Sequence, residues 1–181
     1  MIWLVTGAQA SGKSTVADLL ASRFERGVHV RGGQFYRWAV RGWVHVDADA
    51  ADARAEAHRL LELRYRPSSM VADEYAAAGF TCVVQDNIYG DAVRRWLDRV
   101  VSRPRHLVVL RPSVAVVEAR DAARTRLTGK VAYWPGYTPA QNDADVGTID
   151  PAIGLWLDTS VQSPGQTVDE IISRAAEAVV H

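Results

Sequence analysis

The sequence contains a single cysteine, no excess of charge of either sign and no long apolar run. One thiol, Cys82, cannot form an internal disulfide, which excludes a disulfide-stapled secreted scaffold. Cys82 lies in the apolar run 80–84, so we expect it to be buried as a small hydrophobic residue. No stretch reaches the roughly 18 apolar residues of a membrane span, and the first residues lack the basic lead of a signal peptide. We therefore expect a cytoplasmic protein with no membrane partner.

Charge and length narrow the class of protein further. The 21 basic and 21 acidic side chains cancel, so the chain has no overall attraction for a nucleic acid backbone, and we do not expect such a partner. Its 181 residues suffice for one domain with a sizeable core, and we expect a single domain over 1–181. The composition does not indicate an oligomeric state.

Short apolar runs alternate with segments of helical periodicity along the chain. Such runs are typical of strands buried on both faces, and strands alternating with helices predict right-handed βαβ units. The expected fold is an α/β three-layer sandwich around a five-stranded parallel sheet. The predicted strands are 2–5, 28–30, 81–84, 106–110 and 155–157.

The helical segments differ in how clearly they are bounded. Asp91 is the predicted N-cap of an amphipathic helix, and the alanine-rich stretch 51–78 is predicted to be helical with a break at Pro67. A last helix is predicted over about 168–180. The segment 128–150 shows little periodicity. An insertion there would lie near the carboxyl ends of the strands, and we expect a mobile lid over about 120–150.

The run from Gly7 to Thr15 carries the phosphate-binding pattern G-x-x-x-x-G-K-[ST]. It follows a predicted strand and opens an amphipathic helix, which is the context this motif requires. Its backbone N–H groups can form a nest for anionic oxygens, and the start of the helix adds the positive end of its dipole. We expect Lys13 at the β- and γ-phosphates, as a catalytic residue, and Ser14 at Mg²⁺. The predicted nucleotide contacts of the loop are Gly7, Ala8, Ala10, Ser11, Gly12, Lys13, Ser14 and Thr15.

The GTPase motifs N-K-x-D and D-x-x-G are both missing from the sequence. This favours ATP with Mg²⁺ as the bound nucleotide. A short chain with a lid is suited to phosphoryl transfer onto a small acceptor, because that reaction needs positioning and charge neutralisation more than covalent machinery.

Asp86 ends the third predicted strand, at the sheet edge that carries the phosphate loop. As a catalytic residue it would either hold Mg²⁺ through water or accept a proton from the acceptor hydroxyl as a general base. The alternative is a turn or capping aspartate ahead of Asp91.

Arg120 and Arg124 lie four residues apart and so share one face of a predicted helix, with Arg126 close behind. We predict that all three contact the nucleotide and that the first two are catalytic, neutralising charge on the transferring phosphoryl group. The alternative is a solvated helix face paired with Glu118 and Asp121.

Aromatic and polar residues of the last third leave two alternatives open. Tyr133, Trp134 and Tyr137 either stack on a ligand ring or pack within the lid. The run 158–160 either borders the adenine pocket or forms a simple turn.

Taken together, the phosphate loop, Asp86 with Gly90, the arginine helix and the run 155–160 resemble the chloramphenicol phosphotransferase-like P-loop kinases. More broadly, they are similar to kinases related to the nucleoside monophosphate kinases. The resemblance implies a P-loop NTPase fold and ATP-dependent phosphorylation of a hydroxyl on a small molecule, such as an antibiotic or a metabolite. It also implies a catalytic aspartate after the second strand, where this sequence has Gly33.

A glycine cannot abstract a proton, and three explanations for Gly33 stay open. Asp86 supplies the base, the acceptor is acidic enough to need no strong base, or the chain is a nucleotide-binding regulatory module with little transferase activity. Asp47 and Asp49 lie too far along the chain to take the place of this aspartate.

Arginines flank the presumed acceptor side of the site. Convergence of two or more would favour an anionic acceptor, whereas surface arginines that cover helix faces are the alternative. The predicted acceptor contacts are Arg31, Gly33, Arg37 and Arg64, with Arg66 close by.

Overall fold

A computed structural model describes residues 1–44, 51–133 and 136–181. Within these ranges five parallel strands form one sheet in the order β2-β3-β1-β4-β5. All five predicted strands are confirmed, and so is the α/β fold class. The strands are β1 (Ile2–Gly7), β2 (Gly27–Arg31), β3 (Thr81–Gln85), β4 (Arg105–Leu110) and β5 (Leu155–Leu157).

The central strand β1 explains why its sequence reads as a continuous apolar run. Ile2 and Leu4 pack into the core on one face of the sheet, whereas Trp3 and Val5 pack into a second core on the other face. Helices cover both faces and complete the three layers. They are α1 (Lys13–Ser22), α2 (Gly32–Arg37), α3 (Ala51–Ala77), α4 (Asp91–Arg99), α5 (Val114–Thr128), α6 (Pro139–Val146) and α7 (Pro164–Ser173), followed by a 3₁₀ turn over Ala175–Ala178.

Helix α3 continues through Pro67, so the predicted break is wrong. A proline removes one intrahelical hydrogen bond. Tertiary contacts hold the helix on both sides of it: the Tyr65 hydroxyl donates to the carbonyl of Asn87 at 3.1 Å. The Trp96 indole N–H donates to the Ser68 hydroxyl at 2.9 Å. Such contacts stabilise a packed helix, so they offset the unfavourable helix propensity of the proline.

Three other helix predictions also need correction. The segment 128–150 contains a complete helix, α6, which begins with a capping box of Thr138 and Gln141. Helix α7 begins four residues earlier than predicted, because Ser163 caps it, and the chain after α7 forms a 3₁₀ turn rather than further α-helix. Asp91 is the first residue of α4 and not its N-cap, a position that belongs to Gly90.

The buried thiol behaves as the sequence predicted. Cys82 lies in β3 with no exposed surface, and burial raises the pKa of its thiol to about 12. This thiol is therefore protonated at neutral pH and is a poor nucleophile. No helix in the three described ranges is long and apolar enough to cross a membrane.

Candidate functional site

The phosphate loop connects β1 to α1 at the carboxyl edge of the sheet. Gly7 has a φ of 141°, and a Cβ at this position would lie 2.1 Å from the carbonyl oxygen of Leu110 on the adjacent strand. Ala10 has a φ of 59° and Gly12 a φ of 96°, so the loop alternates into the left-handed region before the helix begins. Turns of this kind direct successive N–H groups toward one point, the geometry of an anion nest.

Lys13 opens α1 with its ammonium turned back onto the loop. Its Nζ donates to the carbonyls of Gly7 at 2.9 Å and Ala8 at 2.5 Å, and the residue is 6 % exposed. Burial, reinforced by Arg64 and Arg124, lowers the pKa of Lys13 to about 7. A cation held among other cations in this way gains more from a bound polyanion than an exposed lysine would.

A cleft of about 800 Å³ opens beside this loop. Its described walls carry six cationic side chains but a single carboxylate, that of Asp86. Five of the cations come from positions predicted to lie in the acceptor site or the lid, so the cleft is strongly positive although the chain is neutral. The cationic lining residues are Lys13, Arg31, Arg37, Arg64, Arg120 and Arg124.

Asp86 lies at the bottom of the cleft with no exposed surface. Arg64 donates from Nε to Oδ2 at 2.9 Å and from its NH2 group to Oδ1, and the Asn87 N–H also donates to Oδ1 at 2.7 Å. A Cβ on Gly32 would lie 2.1 Å from Oδ2, so the carboxylate occupies space that only a glycine leaves open. Both oxygens are therefore held in hydrogen bonds, and the predicted roles of Asp86 as base or metal ligand stay predictions.

The two predicted arginines of α5 reach the cleft, and the third does not. Arg120 donates to the carbonyls of Ser11, at 3.2 Å, and Thr159, at 2.8 Å. Arg124 donates to Asp121 at 2.5 Å, and its Nε is buried without a partner among the described residues. Arg126 is exposed and does not line the cleft, since two residues further along a helix is nearly its opposite side.

All four predicted acceptor contacts line the cleft, and Arg66 does not. Arg31 donates to Asp18 at 2.8 Å. Arg37 forms no ion pair with any carboxylate in the described part of the chain. The acceptor side therefore presents one arginine without a carboxylate partner next to two that are already paired.

The segment predicted to be a lid is hydrogen-bonded to the phosphate loop. Asn142 of α6 is fully buried, and its Oδ1 accepts from the Gln9 N–H at 2.7 Å. The Tyr133 hydroxyl donates to the Gln9 carbonyl at 2.8 Å. The Asn142 amide donates to the Tyr89 hydroxyl at 3.0 Å, which in turn donates to the Gly7 carbonyl at 3.2 Å. These contacts hold the first half of the loop in place, and sequence patterns had indicated none of them.

Other predicted residues have local partners. The Tyr133 and Tyr137 hydroxyls bond within the lid and loop, the latter to Asp145 at 2.6 Å, an arrangement that favours lid packing. Asp158 accepts from the N–H and hydroxyl of Ser160, as in a simple turn. Trp134, Asp47 and Asp49 lie outside the described residues.

The cleft partly fits Mg²⁺. The Ser14 hydroxyl donates to Gln85 Oε1 at 3.0 Å, and both side chains line the cleft, so two neutral oxygens are available there. No group of three or more His, Cys, Asp or Glu side chains is placed to hold a metal within 1–44, 51–133 and 136–181. A Mg²⁺ ion here would take its remaining ligands from phosphate oxygens and water, as is common for this ion.

We predict that Asn142→Ala loosens the phosphate loop. The change leaves the Gln9 N–H without its acceptor and removes the Asn142 amide that donates to the Tyr89 hydroxyl, which should lower the free energy of unfolding by about 3 kcal/mol. It should also raise the Kd of ATP about tenfold, because the loop is then less preorganised. Urea unfolding and equilibrium ATP titration measure the two effects. Ala144→Gln, at an exposed position of the same helix, is the matched control, and an equal ATP affinity in both variants would contradict the prediction.

Lys13 should make the stability of the nucleotide-free protein depend on pH. Its pKa is about 7 in the folded protein and 10.5 ordinarily, so between these values the unfolded chain holds a proton that the folded protein lacks. The free energy of unfolding then rises with pH across that window, by about 1.4 kcal/mol per unit and about 5 kcal/mol in all. Urea unfolding at pH 7, 8 and 9 should show this slope in the wild type relative to Lys13→Met. If the free energy of unfolding changed with pH equally in the two proteins, Lys13 would not be the source of the dependence.

A family model described as "AAA domain" matches residues 2–133. No curated protein matches the sequence. The fold is similar to that of solved structures with low sequence identity. A sugar kinase from Janibacter sp. HTCC2649 has a TM-score of 0.64 and 17 % identity, with 98 % of this chain and 95 % of that chain covered.

Two further structures extend this likeness. The tunicamycin resistance protein of Deinococcus radiodurans has a TM-score of 0.61 and 15 % identity, with 99 % of this chain and 98 % of that chain covered. The Mycobacterium tuberculosis APS kinase, solved with AMPPNP and APS, has a TM-score of 0.60 and 19 % identity, and the coverage is 95 % of both chains. At these identities the likeness establishes a shared P-loop kinase-like fold.

Proposed function

The chain belongs to the AAA domain family, and we propose that it is a phosphotransferase that moves the γ-phosphoryl group of ATP to a small-molecule acceptor. One observation carries the proposal: the phosphate loop, two arginines of α5 and three arginines of the facing wall line a single cleft. Its volume of about 800 Å³ lies in the upper part of the range for ligand pockets, which suits a nucleotide next to a second ligand.

The nucleotide side is the half formed by the loop and α5. Its N–H groups would hold the phosphate oxygens, and the Lys13 ammonium would turn from the Gly7 and Ala8 carbonyls to the β- and γ-phosphates. Arg120 and Arg124 would neutralise charge that builds up on the transferring group. Mg²⁺, held by Ser14 and the phosphates, would supply further charge neutralisation.

The acceptor side is the half formed by β2, α2 and α3. Arg31, Gly33, Arg37 and Arg64 would position the acceptor in line with the γ-phosphorus. The kinases of similar fold are named for sugar and APS substrates, which is consistent with a small acceptor here. The proposal also includes a closer relationship to the chloramphenicol phosphotransferase-like kinases. It takes residues 1–181 as a single domain, in which the segment 120–150 closes over the cleft as a lid.

Transfer of label tests the proposed function. The protein is incubated with Mg²⁺, γ-labelled ATP and a panel of sugars, antibiotics, nucleosides and their phosphorylated or carboxylated counterparts, and products are identified by mass. We expect ATP-dependent addition of one phosphoryl group to at least one compound. If ATP raises the melting temperature but no compound becomes labelled, the chain is a nucleotide-binding module instead.

A further inference from the structure

Within 1–44, 51–133 and 136–181, the acceptor side of the cleft has no unpaired group that could remove a proton. Asp86 is the one carboxylate among the described lining residues, and Arg64 and Asn87 engage both of its oxygens. No histidine lines the cleft in the part of the chain that the structure describes. Lys13 would be held as a cation once phosphates bind. A base that takes the proton of a hydroxyl acceptor in the transition state assists transfer, and the described residues of this cleft present no unpaired group for that role.

The acceptor side of the cleft is positively charged, whereas a site that activates a hydroxyl commonly presents an anionic carboxylate as base. Arg37 lines the cleft without a carboxylate partner in the described ranges, and it is close enough to Arg64 to lower the pKa of that guanidinium. Because Asp86 already pairs with Arg64, the charge left uncompensated beside this pair is that of Arg37. Guanidinium groups bind phosphate and carboxylate oxygens in a bidentate manner, so such a ligand complements this wall.

Gly33, at the position where the family resemblance implies a catalytic aspartate, leaves space open in the cleft. A Cβ at this position would have no heavy atom within 4 Å, although the residue lines the cleft. The glycine is therefore not required by packing, in contrast to the neighbouring Gly32, where a Cβ would collide with Asp86. A Cβ is therefore accommodated at position 33, and a carboxylate introduced there would add negative charge to the wall of the cleft.

From these three observations we propose that the acceptor is an organic oxyanion, a phosphate monoester or a carboxylate, and that its own anionic oxygen is the nucleophile. This inference rests on the proposed function. The acceptor oxygen forms a bond to the γ-phosphorus, and the bond from that phosphorus to the β,γ-bridging oxygen breaks. The bridging oxygen keeps the electron pair and leaves with ADP. The attacking oxygen carries no proton at pH 8, so no base is required and no proton is released. The product is a phosphoanhydride or an acyl phosphate.

The acceptor panel tests this inference when it is arranged in matched pairs. Nucleoside 5′-monophosphates and sugar phosphates are compared with the parent nucleosides and sugars, and short carboxylic acids form a third arm. We expect transfer to the oxyanion member, with ³¹P–³¹P coupling in the product for a phosphate acceptor or an acyl phosphate trapped by hydroxylamine for a carboxylate. In weak buffer at pH 8, proton release per ADP should be near zero after subtraction of acceptor-free hydrolysis.

Each other outcome has a distinct meaning. Transfer to a hydroxyl with about one proton released per ADP would overturn the inference and leave the proposed function intact. ATP binding without transfer to any arm would overturn the proposed function, and the inference with it.

A carboxylate at position 33 is expected to change kcat/KM in opposite directions for an oxyanion acceptor and a hydroxyl acceptor. For an oxyanion acceptor, Gly33→Asp should lower kcat/KM about tenfold or more relative to the neutral isostere Gly33→Asn, because it places a like charge beside the nucleophile. A hydroxyl acceptor predicts the reverse, since the carboxylate would serve as a base. A rate for Gly33→Asp at or above that of Gly33→Asn would overturn the inference.

Arg37 supplies a second and independent readout. Arg37→Ala should raise the KM of the oxyanion acceptor about tenfold while the KM of ATP stays unchanged, because one charge-assisted contact to the acceptor is lost. Arg66→Ala, at an exposed arginine outside the cleft, is the matched control and should match the wild type. An equal acceptor KM in the two variants would contradict the assignment of this wall to an anion.

Discussion

Replacement of Lys13 by alanine is expected to lower the rate of phosphoryl transfer by at least about 100-fold while the protein stays folded. The Lys13 ammonium is the one cation that the phosphate loop itself supplies, and its buried position next to the loop carbonyls places it within reach of phosphates bound there. Without it, the charge that develops on the β- and γ-phosphate oxygens is left to the arginines of α5. The measurement is kcat for the acceptor found in the panel, together with the ATP-induced shift in melting temperature.

The chain offers an exact control for this experiment, because Lys130 is its only other lysine. Lys130 is exposed, so Lys130→Ala removes the same chemical group away from the cleft and should leave the rate unchanged. The alanine variant of Lys13 should also unfold at no lower urea concentration than the wild type near pH 7, because a buried ammonium is costly to hold. Near-normal turnover in Lys13→Ala would sink the assignment of this cleft as a phosphotransferase site.

Substitution of Asp86 by asparagine is expected to have the largest effect on stability. The change keeps the shape of the side chain but leaves the Arg64 guanidinium, whose side chain is 12 % exposed, without its carboxylate. Removal of one partner of a buried ion pair costs about 3–5 kcal/mol, because the remaining charge is uncompensated. Urea unfolding of the nucleotide-free protein measures this loss.

Two comparisons separate this effect from a general loss of charge. Asp169→Asn breaks the exposed pair with Arg23, in which both side chains are about half exposed, and should cost less than about 1 kcal/mol. The double variant Arg64→Met with Asp86→Leu removes both charges and should recover much of the stability without recovering activity. If Asp86→Asn were as mild as Asp169→Asn, the pair would not be isolated from water as the structure has it.

The fold could be predicted from local sequence patterns because the sheet is buried on both faces. Parallel strands such as β3 and β4 pack against helices on both faces, so consecutive apolar residues, such as Cys82–Val84 and Leu107–Leu110, form a continuous run in the sequence. Helices were harder to bound. The continuation of α3 through Pro67 depends on contacts with the loop after β3 and with α4, whereas α6 and α7 begin with capping boxes that are local in the sequence.

By itself the sequence determined the phosphate loop. Consecutive residues from Gly7 to Thr15 build it from their own backbone, so the motif carries its geometry with it. Only the tertiary structure decided what surrounds that loop. Asn142 accepts a hydrogen bond from the Gln9 N–H, 133 positions away in the sequence. Arg64 contacts both oxygens of Asp86, which lies 22 positions away. Hydrogen bonds between distant segments leave no periodic trace in a sequence, because each partner is an ordinary polar residue until the fold brings the two together.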